Sequence, residues 1–175
     1  YLIKPVREGW LSVSVFKGLS QLEVKAYSAF GQSLLLLLIL PLYAKLAASW
    51  TRRDLILRVG AASGFMLVVF WLLQPGLIWE RIAYAGLLFY MFVGVFSVTL
   101  VAQFWSFATD LYGEDRGRRL FPLVAVGATA GGAVGAWASE WLLRLERIDA
   151  FDLVLLSLLP LSAALLLAAW SDRRG

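Results

Sequence analysis

The sequence predicts an all-α, polytopic membrane protein, and three observations carry that prediction. Five stretches hold no charged residue: Ala26 to Ala44, Val59 to Trp79, Ile82 to Thr109, Leu120 to Ser139 and Leu153 to Ser171. Each is close to the ~20 residues that an α-helix needs to cross ~30 Å of hydrocarbon. All 28 charged side chains therefore fall at the chain ends or between these runs. The third observation is composition: 61% hydrophobic and 16% charged residues over 175, with a mean hydropathy of +0.76, give more apolar surface than a soluble domain of this length can hide. In hydrocarbon a backbone must satisfy its own hydrogen bonds, so each run is expected as a helix.

The opening YLIKPVREGW sets Lys4, Arg7 and Glu8 at i, i+3 and i+4, one face of a helix. Residues 1–8 read as the end of a truncated first helix, with an ordinary charged flank as the equal alternative. The first full span is expected over about 26–48. It contains LLLLLILPLY, with Pro41 bending it and Lys45 snorkelling to the interface. A second, over 55–77, ends at the turn signal Gln74, Pro75 and Gly76. The third, 82–108, is the longest and is expected to tilt or project. The fourth, 120–143, is rich in Gly and Ala, and the fifth, 150–170, carries Pro160. Loops this short imply antiparallel neighbours in a single transmembrane domain, 1–175. Trp10, Trp50, Trp79, Trp141 and Trp170 fall near the predicted interfaces, as an aromatic belt would place them.

Loop charges set an orientation. Four basic residues from Lys45 to Arg58, three from Asp110 to Arg119, and Arg173 and Arg174 share one side. Lys17, Lys25, Arg81, Arg144 and Arg147 share the other, joined by Lys4 and Arg7 if these count as loop residues. The positive-inside rule then puts the first loop, the third loop and the carboxyl terminus in the cytoplasm. The net charge of +4 sits in short loops rather than on one stripe, so the expected partner is the lipid bilayer and not a nucleic acid polymer.

Cysteine and histidine are both absent. That excludes disulfides and thiolate metal sites and removes the usual ligand for haem, copper or zinc, so no cofactor and no metal is expected. No HExxH, nucleophile elbow, Walker lysine loop or intramembrane carboxylate pair occurs, and the chain does not read as an enzyme.

Three groups of residues are candidates for function. Gly127, Gly131 and Gly135 lie four apart in GATAGGAVG, a stripe that lets another helix approach closely; an internal crossing and a dimer contact are the two readings. Asp110, Glu114 and Asp115 precede Arg116, Arg118 and Arg119; Asp110, Arg118 and Arg119 are the core of a conformational latch between helices, against the alternative of a solvated loop with weak pairs. Gln103 stands deep in the longest span, where an amide needs either an interhelical hydrogen bond or a polar pathway.

Three segments, IKPVREGW, then PLYAKLAASWTRRDLIL, then FVGVFSVTLVAQFWSFATDLYGEDRGRRLFPLVAVGATAGGAVG, together resemble bacterial relatives of the ATP/ADP translocases, nucleotide transporters of the major facilitator type. FWSFATD followed by RRLFPL and the glycine stripe is the most specific part. The resemblance covers the amino-terminal half of such a transporter, a six-helix bundle in which residues 1–8 end helix one and the five runs are helices two to six. It implies alternating access, with Lys4, Arg7 and Glu8 near substrate phosphate and Gln103 adding a polar contact. One departure stands out: where those exchangers carry an acid near the start of the fourth helix, this chain has Val93. Two functions follow as expectations: a secondary transporter of an anionic solute, a nucleotide among the candidates, or a non-transporting scaffold packing against other membrane subunits.

Overall fold

The computed structural model describes residues 2–13, 18–77, 84–144 and 148–171, without the side chains of 13, 52, 107–121, 123, 124 and 171. Lys17, Trp79, Arg81, Arg147, Arg173 and Arg174 lie outside the described residues, as do the side chains of Asp110, Arg118 and Arg119. The described chain is α-helical: α1 (Lys4–Val13), α2 (Gln21–Ser49), α3 (Arg52–Leu72), α4 (Ala85–Leu143), α5 (Asp152–Leu156) and α6 (Leu158–Ser171).

Local chemistry explains the boundaries. Pro5 falls in the first turn of α1, where its missing N–H costs nothing. Ser20 and Glu23 form a reciprocal capping box at the start of α2: the Ser20 N–H donates to Glu23 Oε2 at 2.8 Å, and the Glu23 N–H to Ser20 Oγ at 3.3 Å. Thr51 caps α3, accepting from the Asp54 N–H at 3.2 Å. With only Trp50 and Thr51 between them, α2 and α3 must run antiparallel. The expected turn after Pro75 contains Gly76 at φ +89°, a value that suits a residue without Cβ. α2 stays continuous through Pro41. Pro160 acts differently: it cannot donate to the Leu156 carbonyl and its ring crowds that oxygen, which divides α5 from α6 at Ser157.

Among the described residues, four helical stretches are long and apolar enough to cross a membrane: 21–49, 53–72, 85–106 within α4, and 152–170 across α5 and α6. Their outward faces carry Leu22, Phe30, Leu38, Phe65 and Leu166, each more than 60% exposed. Large apolar groups facing outward in such density are what lipid, rather than water, tolerates, and the architecture is compatible with an integral membrane protein.

α4 departs from expectation. The sequence predicts two spans, 82–108 and 120–143, with a charged turn between, whereas α4 runs as one 59-residue element. That intervening sequence holds no proline, and it sets Glu114 four before Arg118 and Asp115 four before Arg119, a spacing that favours helix. Yet α4 is not straight. Arg7 lies over the Tyr90 ring and also lines a cleft with Ser139. A straight helix would hold Tyr90 and Ser139 about 74 Å apart at 1.5 Å per residue. The chain therefore doubles back between Gln103, which lies beside Tyr43 far along α2, and Ala136, which lies beside α1.

The core sits where α1, α3, the first half of α4 and α5 converge. Trp10 packs edge-on against Phe70 and Phe151, with ring centroids 6.4 and 4.9 Å away, and against Phe89 at 5.2 Å. Leu67, Phe89, Leu153 and Val154 are fully buried. Trp10 is thus a core residue rather than the interfacial anchor its position suggests, because Ile3, Val6 and Trp10 form the one apolar face of α1 and that face turns inward. Trp141 and Trp170 are exposed.

Candidate solute-binding cleft

Arg7 and Glu8 together link α1 to α2 and α4. Arg7 Nη2 donates to Glu8 Oε1 at 2.6 Å on α1, while Glu8 Oε2 pairs with Lys25 Nζ of α2 at 2.6 Å. Its guanidinium lies over the Tyr90 ring of α4, 4.5 Å from the centroid, a cation–π contact that is strengthened away from water. Amphipathic α1 fixes this arrangement: burying Ile3, Val6 and Trp10 leaves Lys4, Arg7 and Glu8 at the boundary of that face. Arg7 Nε is buried and has no hydrogen-bond partner among the described residues.

Beside this cluster lies a cleft of about 440 Å³ between α1 and the carboxyl end of α4. Lys4, Pro5, Arg7 and Glu8 form one wall, and Ala136, Ser139, Glu140 and Leu143 the other. Ser139 Oγ donates to the Gly135 carbonyl at 2.7 Å, and Glu140 Oε1 accepts from Arg144 Nη2 at 2.7 Å. Both are the i, i+4 contacts that helix geometry provides. The volume is within the range of small-molecule sites.

The sequence candidates divide between three places. Lys4, Arg7 and Glu8 share the cleft. Gln103 does not reach it: thirteen residues beyond Tyr90 along α4, it lies about 20 Å further on, buried next to Tyr43, with Nε2 lacking a hydrogen-bond partner among the described residues. Val93, at the position of the missing acid, is buried in the aromatic core and does not line the cleft. Of the latch residues, Asp110, Arg118 and Arg119, only the helical backbone is described.

Glycines mark helix contacts at positions that the sequence did not single out. A Cβ on Gly60 would meet Leu165 of α6, one on Gly64 would touch Leu161 and Leu158, and one on Gly94 would meet Gln32 of α2. Among the described residues, a Cβ on Gly127 or Gly131 would meet nothing within 4 Å. Gly60→Leu is accordingly expected to lower stability in detergent by about 1–3 kcal/mol, through overpacking against α6. Gly131→Leu should change it by less than about 0.5 kcal/mol. Parallel unfolding curves of the two variants check this contrast.

Lys25, Tyr90 and Ser139 complete the cluster and cleft without having been candidates for it; Glu140 had a weaker form of the signal that singles out Gln103, a polar group near the end of an apolar run and close enough to an interface to reach water. Lys25 had one signal, as the last charge before a span; Tyr90 had none, since an aromatic in a hydrophobic run looks like any other. No protein-family model, no curated protein and no solved structure matches this chain.

Proposed function

We propose that the chain is the six-helix half of a secondary transporter of the major facilitator type, residing in a bacterial cytoplasmic membrane and moving an anionic solute by alternating access. A nucleotide belongs to the candidate solutes. In this reading the doubled-back α4 supplies two crossings, giving five full spans and the end of a preceding one. The observation that carries the proposal is Arg7: a largely buried cation at the edge of a cleft between two helices, with Lys4 beside it and an Nε that no described residue satisfies. A guanidinium in that setting attracts carboxylate or phosphate strongly, because the surrounding dielectric is low and its donors form a planar fork.

The test is uptake of labelled nucleotides and other phosphorylated solutes into vesicles holding the intact gene product. Accumulation above protein-free vesicles is expected for at least one of them; none for any would end the transporter reading. Orientation is checked separately, because a chain without cysteine accepts single-cysteine labels. An impermeant maleimide should modify Leu19→Cys from the outside of cells, and Ser49→Cys only in inverted vesicles. The opposite pattern would invert the topology.

A second reading, a non-transporting subunit of a larger membrane assembly, draws support from Gly127 and Gly131, where an added Cβ would meet nothing within 4 Å among the described residues. Stable co-migrating partners in mild detergent, together with absent uptake, would select it.

A further inference from the structure

The cleft is not simply a basic site. Its walls carry two cations, Lys4 and Arg7, and two carboxylates, Glu8 and Glu140, so its lining is formally neutral. The two carboxylates are in different situations. Both Glu8 oxygens are engaged, Oε1 by Arg7 and Oε2 by Lys25, each at 2.6 Å. Glu140 uses only Oε1, toward Arg144, and its Oε2 has no hydrogen bond among the described residues. Glu140 also stands on the wall opposite Lys4 and Arg7, across the opening. Lys25 behind Glu8 and Arg144 behind Glu140 pair with these carboxylates from outside the lining, yet an anion seated on Arg7 would still place its far end toward Glu140, and a solute with a negative and a positive end would answer both walls.

We propose that this cleft takes a zwitterion, its anionic group against Lys4 and Arg7 and its ammonium against the open oxygen of Glu140. The inference rests on the anion-binding reading above and narrows it to anions that also bear an amine. A free solute and the headgroup of an aminophospholipid share this chemistry, since the cleft opens at the end of the bundle where α2 begins and Glu140 and Arg144 are exposed.

The test uses the full chain in phosphatidylglycerol nanodiscs and two matched probe pairs: phosphoethanolamine with ethyl phosphate, and γ-aminobutyrate with butyrate. In at least one pair the amine-bearing probe should bind about tenfold more tightly or better, the gain of one charge-assisted hydrogen bond. Glu140→Gln should erase that preference while leaving ethyl phosphate or butyrate binding in place. Mixed nanodiscs separate the sources: if phosphatidylethanolamine displaces the soluble probe, or is retained over phosphatidylglycerol in native mass spectra in a Glu140-dependent way, the occupant is a headgroup; if it does neither, a free solute. Equal binding within both pairs, or a preference that survives Glu140→Gln, overturns the zwitterion and leaves the anion reading standing. No binding by any probe, with no lipid preference, overturns both.

Discussion

In the proposed transporter, Arg7→Gln is expected to weaken binding of the anionic solute by between about ten- and a hundredfold, the value of the charged hydrogen bonds it removes. Glutamine keeps length and polarity but neither the charge nor the fork. Arg7→Lys should fall between the two, since it restores charge without the planar donors or the stacking on Tyr90. The same substitutions cost little in folding. The cation–π contact contributes about 0.5–2 kcal/mol and a partly exposed ion pair about 0–1, while Glu8 keeps Lys25 as a partner. Equilibrium binding of labelled phosphorylated solutes, run beside thermal melts in the same detergent, separates the two effects. A folded Arg7→Gln protein that binds its solute normally would remove Arg7 from the site.

Phe89→Ala should produce the largest loss of stability. Phe89 is fully buried and touches both Trp10 and Phe70, with ring centroids 5.2 Å away in each case. In a soluble protein such a truncation costs about 3–5 kcal/mol, part of it from transfer out of water. Lipid tails are as apolar as a core, so that part shrinks here, and what persists is the cavity and the lost ring contacts. About 2–3 kcal/mol is therefore expected, at or just below the lower limit of that range. Leu166→Ala, at a side chain 70% exposed on α6, is the control and should change stability by less than about 0.5 kcal/mol. Unfolding by SDS titration from mixed micelles provides the readout, and equal effects at the two positions would contradict the packing described.

The helical class and the approximate places of most elements were legible because charge and apolar runs alternate at the scale of a bilayer. Caps went unread, although SQLE and TRRD place a hydroxyl three residues before an acid. The course of α4 was not legible. The stretch from Asp110 to Arg119 has two glycines but no proline, and its acid–base pairs four apart support a helix, so local preference writes one element while packing against α1 requires a return. The cleft was half legible: i, i+3, i+4 spacing united Lys4, Arg7 and Glu8, but no short-range pattern links them to Ser139 and Glu140, some 130 residues away. The contacts at Gly60 and Gly94 went unread for a related reason. Gly60 and Gly94 each admit one bulky neighbour without repeating every four residues, so they form no stripe to be read.

The setting of Trp10 bears on how the chain is assembled. This ring closes on Phe70, Phe89 and Phe151, so its socket is complete only after some 140 further residues have been synthesised. Until then the inward face of α1, with Ile3, Val6 and Trp10, has only the part of its socket that Phe70 and Phe89 supply. α1 precedes all of these partners in the chain, and a ribosome stalled short of Phe151 would leave the remainder of that face for an insertase or a chaperone to shelter.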